Sequence, residues 1–170
     1  MLYIRLLLLT QEAYFISKAR IVEVLGINGW YYVSCSWCGI KLHNSAADLP
    51  CNHCLDSNAC GVVSYRVELL VDDENNYATF LVLNNEMLNL TKQAAATALN
   101  DEVSRGVCNK VPPLLAALEN RVFLFHVLLT ANNTSTNSPP FTVLGISDTT
   151  NPADTLTDEV EGGECKLPSE

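Results

Sequence analysis

Cys35-Ser-Trp-Cys38 and Cys51-Asn-His-Cys54 are two Cys-x-x-Cys pairs separated by twelve residues, and they decide how the chain is interpreted. Each pair can form a turn whose two thiolates point to one side, and two such turns facing each other make a tetrahedral four-sulfur site. Zinc prefers this ligand set, and a site closed by four thiolates is structural rather than catalytic. The spacing therefore predicts one structural zinc ion bound by Cys35, Cys38, Cys51 and Cys54.

Two other interpretations of these cysteines stay open at the level of sequence. The four could be buried or disulfide-bonded thiols, and His53, inside the second pair, could replace a cysteine as ligand. The chain has seven cysteines, an odd number. Its apolar run at residues 6–9 is too short to span a membrane and lacks the cleavage pattern of a signal peptide. We therefore expect a reduced, intracellular protein that makes no membrane contact.

Alternating apolar and polar residues, rich in β-branched and aromatic side chains, predict six short strands. These strands cover residues 17–25, 30–34, 62–71, 77–83, 122–130 and 141–146. Residues 85–99 change to a helical period, and Pro112-Pro113 can open a short helix at 114–118. This order predicts a mainly β protein: a five-stranded OB-fold barrel with an inserted zinc ribbon and one helix between barrel strands 3 and 4.

Charge and composition divide the chain into three parts. The formal net charge is -9, from 10 Lys+Arg and 19 Asp+Glu. Residues 148–170 are polar, acidic and punctuated by Gly and Pro, which predicts a disordered tail. Residues 19–147 are expected to form the OB-fold domain, with the zinc ribbon at 35–54. Residues 1–18 are expected to be an N-terminal strand or a truncated lead-in.

Four segments together resemble a known family: Trp30-Tyr-Tyr-Val-Ser-Cys-Ser-Trp-Cys38, Lys41-Leu42, Cys51-Asn-His-Cys54 and Tyr65-Arg-Val-Glu-Leu69. They are similar to the C-terminal domain of the large subunit of replication protein A, and the plant versions look closest. The likeness covers about residues 19–147 and continues through residues 78–80, 90–99, 113–125 and 141–143.

The resemblance implies a barrel that binds single-stranded DNA, with the ribbon inserted between its early strands. Full-length members of the family also join two smaller subunits through a C-terminal helix. The chain departs from this pattern, because no amphipathic helix is visible after residue 146. The family's role implies DNA replication, DNA repair or DNA recombination in the nucleus, with other replication protein A-type subunits as candidate partners.

OB folds bind single strands by combining basic side chains with aromatic side chains on which bases stack. The candidates for stacking are Trp30, Tyr31, Tyr32 and Trp37, of which Trp37 and Tyr31 are preferred, and those for phosphate contacts are Lys41 and Arg66. Because positive charges are few, counterion release is small, and the isolated module is expected to bind weakly. The alternative is a zinc-stabilised OB protein-interaction module with little or no DNA binding. The sequence contains no convincing catalytic constellation, so an enzyme is not expected.

Overall fold

The computed structural model describes residues 12–42, 51–55, 58–106, 111–130, 133 and 139–149. Most of the predicted lead-in and nearly all of the predicted acidic tail lie outside these ranges. The described residues form β1 Ala13–Leu25, β2 Tyr31–Cys35, β3 Lys41–Leu42, β4 Gly61–Asp72, β5 Tyr77–Leu83, α1 Asn84–Thr91, α2 Ala95–Ser104, α3 Pro113–Ala116, β6 Val122–Leu129 and β7 Phe141–Asp148.

Five of the strands close into a barrel. Strand β1 pairs with β6 and β4, β6 pairs with β7, and β5 joins β7 to β4. The register of β1 against β4 shifts between Ile21 and Glu23, and such a bulge bends a strand enough to serve two neighbours. Strand β1 begins at Ala13, four residues earlier than predicted. The five-stranded ring confirms the predicted OB fold.

The barrel core consists of side chains at alternate positions of the strands. On β4, the alternation predicts a polar face of Ser64, Arg66 and Glu68 and an apolar face of Val63, Tyr65, Val67, Leu69 and Val71. On the apolar face Val63 is partly buried and the other four are buried. Three aromatic rings meet at the centre, where Phe125 lies 5.2 Å from Phe80 and 6.1 Å from Phe123 between ring centroids. Burying each large apolar side chain contributes about 1.5–3 kcal/mol. The period-2 pattern therefore accounts for the core.

The helical segment between barrel strands 3 and 4 differs from the prediction in one detail. The continuous helix predicted at 85–99 is broken into α1 and α2, because Lys92 adopts a left-handed φ of 56° and its N–H donates to Leu88 O. Thr91 Oγ1 also donates to Met87 O at 2.8 Å, which satisfies another carbonyl at the helix end. None of the helices in the described ranges is long and apolar enough to cross a membrane.

The predicted short helix before β6 is present, and a left-handed turn follows it. Helix α3 opens at Pro113, where the fixed φ of proline suits a first turn. Asn120 adopts a left-handed φ of 67°, and its N–H donates to Ile21 O at 2.7 Å. This turn fixes the start of β6 beside β1.

Candidate metal centre and nucleic-acid interface

The two cysteine pairs lie on turns of the same shape. In the first turn the N–H of Gly39 donates to Cys35 O, and in the second the N–H of Leu55 donates to Cys51 O, both at 2.9 Å. Both donors adopt a left-handed backbone, with φ of 72° for Gly39 and 55° for Leu55. A left-handed residue after each Cys-x-x-Cys turns the chain back and leaves both sulfurs on one side.

The structure brings together all four predicted metal ligands. The Sγ atoms of Cys35, Cys38, Cys51 and Cys54 all lie within 4.8 Å of one another. The Cys35–Cys54 distance is 3.8 Å and the Cys38–Cys51 distance is 3.7 Å. A regular tetrahedron of thiolates around zinc, at metal–sulfur distances of about 2.3 Å, has edges of about 3.8 Å. A disulfide needs about 2.05 Å, so these distances fit a shared metal ion rather than disulfides.

Backbone N–H groups stabilise the thiolate form of two of these cysteines. Hydrogen bonds from the backbone of Cys54 and His53 lower the pKa of Cys51 to about 7. The backbone of Cys38 and Trp37 likewise lowers the pKa of Cys35. Because metals bind the deprotonated thiol, this lowering of the pKa favours metal binding.

The alternative ligands do not join the cluster. His53 is exposed, and among the described residues the group of four that can hold a metal ion consists of cysteines alone. Cys60 is an exposed free thiol outside the group. Cys108 and Cys165 lie outside the described residues. The cluster can therefore hold a metal ion with four sulfur ligands.

The ribbon has its own small core. Cys35, Leu42 and Cys51 are buried together, with Val33, Cys38, Cys54 and Ala59 packed against them. This cluster is separate from the barrel core. The two units are joined by antiparallel pairing of β2 with β4. A metal ion in the ribbon would therefore fix the end of β2 relative to the barrel.

The four predicted nucleic-acid contacts do not share one face of this sheet. Lys41 of β3 pairs with Ser34 of β2, and Ser34 pairs with Val62 of β4. Paired residues share a face, as do alternate residues of one strand, so Arg66 lies on the same face as Lys41. Tyr31 lies opposite Tyr65 and therefore on the other face. Its ring packs edge-on against Trp30 at 4.9 Å, and it is 39% exposed.

Tyr32, another of the predicted stacking candidates, lies on the face of Lys41 and Arg66. It pairs with Ser64, between the two basic residues along the strand. Tyr32 and Ser34 are alternate residues of β2, and Ser34 pairs with Lys41 of β3. The register of β2 against β3 therefore places Tyr32 on the face of Lys41. The sequence gives no register for such a short strand, so the phase of the two tyrosines was not predictable.

Arg66 is engaged by a buried carboxylate. Its Nη1 lies 2.8 Å from Glu68 Oε1, and Asn28 Nδ2 donates to Glu68 Oε2 at 3.0 Å. Glu68 is only 6% exposed, although it was expected on the polar face of its strand. The positive charge of Arg66 is therefore largely balanced within the protein. The same network ties the loop after β1 to β4.

Trp37 and Tyr77 present large exposed aromatic surfaces. Trp37, in the first cysteine turn, is 74% exposed, and Tyr77, at the start of β5, is 69% exposed. Tyr77 borders a groove of about 420 Å³ between the β4–β5 face and residues 139–141. Counted within the barrel, β4 and β5 are strands 2 and 3, whose face binds oligonucleotides in OB folds. The prediction missed Tyr77, because its place at a strand start gave no sign of the groove.

Comparisons with protein-family models and with curated proteins find no match. Among solved structures, the chain is similar to yeast replication protein A bound to single-stranded DNA, with a TM-score of 0.66 and 17% identity, over 88% of this chain and 85% of that one. The chain has an OB fold of the replication protein A type. A second similar structure is a replication protein A heterotrimer bound to single-stranded DNA, with a TM-score of 0.61 and 18% identity over 81% of this chain. The chain spans about a third (32%) of the length of that protein.

Proposed function

We propose that the chain is a single-stranded DNA-binding OB module that acts in DNA replication, repair or recombination. The observation that carries the proposal is the shared fold with two replication protein A structures, both solved with single-stranded DNA. The exposed aromatic rings of Trp37 and Tyr77 support it, because stacking on such rings suits every base. The role is one of binding rather than catalysis, in the nucleus, with other replication protein A-type subunits as partners.

The second part of the proposal is that the cysteine cluster holds one structural zinc ion. Its support is the set of four sulfurs at the spacing of a thiolate tetrahedron, with backbone N–H groups that favour the thiolate. The ion closes the ribbon and holds the turn that carries Trp37. It supplies no catalysis, because all four of its ligand positions are filled by protein.

Binding by the isolated module is weak in this proposal. The protein carries a net charge of -9, which repels phosphate. Lys41 is exposed and, within the described residues, has no ion-pair partner, whereas Arg66 is paired with Glu68. Few counterions are therefore released, and stacking supplies most of the affinity. Dissociation constants in about the micromolar range or weaker follow, with little base preference.

Trp37→Ala is expected to weaken binding to labelled oligo-dT by about 5- to 150-fold, which corresponds to the roughly 1–3 kcal/mol of one stacked base. The loss should be similar across base sequences, because stacking does not recognise base edges. Fluorescence anisotropy at low salt measures it. Leu144→Ala is the matched control, since Leu144 is exposed on β7 and does not line the β4–β5 groove. Equal binding by Trp37→Ala and the wild type would contradict the stacking role.

Lys41→Ala is expected to reduce the slope of log K against log salt by up to about 0.7, the value for one neutralised phosphate on a single strand. Arg66→Ala should change the slope less, because the Glu68 carboxylate already balances the guanidinium. It should also lower the free energy of unfolding, because it leaves Glu68 buried without its cation. A titration series at several salt concentrations, with urea unfolding alongside, separates the two effects. A larger slope change for Arg66→Ala would show that phosphate displaces Glu68.

The alternative function is a zinc-stabilised protein-interaction module with little or no DNA binding. The Arg66–Glu68 ion pair and the net charge of -9 favour it, because they leave little free positive charge. The wild-type titration decides between the two functions. If the chain fails to bind oligo-dT even at low salt while the metal is bound, the interaction module is the correct assignment.

A further inference from the structure

Within the part of the chain that the structure describes, strand β1 has an unpaired edge along its first half. Residues 13–20 pair with β6 on one side, but β4 joins the other side only from Arg20 onward. Among the described residues no strand covers the second edge of residues 13–19. Tyr14 and Ile16 lie on this stretch and are 69% and 63% exposed. Proteins usually protect such an apolar edge, because its free N–H and C=O groups pair readily with another strand.

The hydrogen bonds of Ile21 show which backbone groups point to the open edge. The N–H of Ile21 donates to Arg121 O, and its C=O accepts from Asn120 N–H, so both groups point toward the β6 side. Backbone groups alternate in direction along a strand, and the β1–β6 register is regular from Ala13 to Arg20. The N–H and C=O groups of Tyr14, Ile16 and Lys18 therefore point away from β6, into the open edge.

We propose that this edge pairs with the same edge of a second copy of the chain, across a twofold axis at Ile16. Residues 13–19 are centred on Ile16, so antiparallel pairing about it uses the whole free stretch. Ile16 then exchanges both backbone hydrogen bonds with the partner's Ile16, and Tyr14 does so with the partner's Lys18. Tyr14, Ile16 and Lys18 are the residues whose N–H and C=O groups point into the open edge, so this register uses them all. The two barrels thus form one continuous sheet.

Side-chain chemistry agrees with this register. Opposite residues of an antiparallel pair lie on the same face of the sheet. There, like charges repel each other, whereas two apolar side chains or two opposite charges stabilise the pair. The exposed Ile16 meets its own copy, and Tyr14 meets the aliphatic stem of the partner's Lys18. Just beyond the free stretch, Glu12 lies opposite the partner's Arg20, which also bonds Asp72 at 3.0 Å. No two like charges of residues 12–20 face each other. The edge is therefore self-complementary, which argues for a second copy rather than a different partner.

Sedimentation velocity of the full chain over a range of concentrations tests the proposal. We expect a reversible monomer–dimer equilibrium. Ile16→Lys places two ammonium groups opposite each other and should raise the dimer dissociation constant by about tenfold or more. The matched control is Val103→Lys, which makes the same kind of change at a residue of similar exposure (61% against 63%) on α2, away from β1, and should leave the dimer intact. Circular dichroism checks that both variants keep the barrel.

Amide hydrogen exchange gives a second readout that a general loss of stability does not imitate. The N–H groups of Tyr14, Ile16 and Lys18 should gain protection as concentration rises. Those of Phe15 and Ser17 point to β6 and should be protected at every concentration. A chain that stays monomeric at high concentration would overturn the proposal, as would a dimer that resists Ile16→Lys or is lost in Val103→Lys. These outcomes do not depend on whether the chain binds DNA.

Discussion

Cys51→Ser is expected to abolish stoichiometric metal binding and to unfold the ribbon, while the barrel keeps its structure. Cys51 is 1% exposed, lies 3.7 Å from the Cys38 sulfur and has a pKa of about 7, so the wild-type protein offers a thiolate at neutral pH. A serine hydroxyl does not replace this ligand. Structural zinc contributes about 10–16 kcal/mol in small ribbons, and the ribbon core holds few other buried side chains.

Metal analysis measures the loss of the bound metal, and amide hydrogen exchange shows which strands unfold. The metal content should fall from about one zinc per chain to almost none. Exchange should become fast in β2, in β3 and in residues 61–64, which pair with β2. It should stay slow in residues 66–72 and in β5 to β7, because they belong to the barrel and its separate core. Cys60→Ser is the matched control, since this thiol is exposed and outside the cluster. If the barrel unfolded together with the ribbon, the two cores would form one cooperative unit, contrary to this prediction.

The metal cluster was predictable from sequence because its ligands lie in two short, regular motifs. A Cys-x-x-Cys turn is local, and pairing two of them needs only a loop long enough to bring them face to face. Strand alternation was equally informative, since Phe123, Phe125 and Val127 are buried at every second position of β6. Both signals act within a few residues, so tertiary contacts did not override them.

The nucleic-acid contacts were less predictable, because they depend on register and on long-range pairing. Arg66 looks free on the polar face of its strand, but it bonds Glu68, two residues along the chain, and Glu68 also accepts from Asn28, 40 residues before it. Tyr31 and Tyr32 are adjacent, and only the pairing with β4 determines which one lies with Lys41. A one-residue change of register exchanges the faces, and a short strand does not specify its register alone.

The helix break and the open edge of β1 also come from tertiary structure. Lys92 is a good helix former, yet it ends α1 in a left-handed conformation, and the chain restarts at Ala95 to bury Ala95 and Ala98. Among the residues with described positions, the edge of β1 is open before Arg20, because β4 pairs with β1 only from Arg20 onward. Neither feature has a local sequence signal, so the sequence predicted the strand and the helix but not their limits.

Phe125→Ala is expected to lower the free energy of unfolding of the barrel by about 3–5 kcal/mol, the usual cost of removing a buried ring and leaving a cavity. Phe125 is fully buried, and its ring lies edge-on to Phe80 and to Phe123 at interplanar angles of 72° and 75°. Both contacts are lost together. Since small domains have total stabilities of about 5–15 kcal/mol, the variant should stay folded at low temperature with a much lower urea midpoint.

Urea unfolding followed by circular dichroism measures this loss, and the neighbouring residue provides its control. His126 is exposed on the opposite face of the same strand, so His126→Ala should change the free energy of unfolding by less than about 0.5 kcal/mol. Zinc content should stay near one per chain in both variants under native conditions, because the ribbon core does not include Phe125. A loss below about 1 kcal/mol for Phe125→Ala would mean that the three rings do not form the centre of the barrel. A normal urea midpoint with lost zinc would instead show that β6 supports the ribbon.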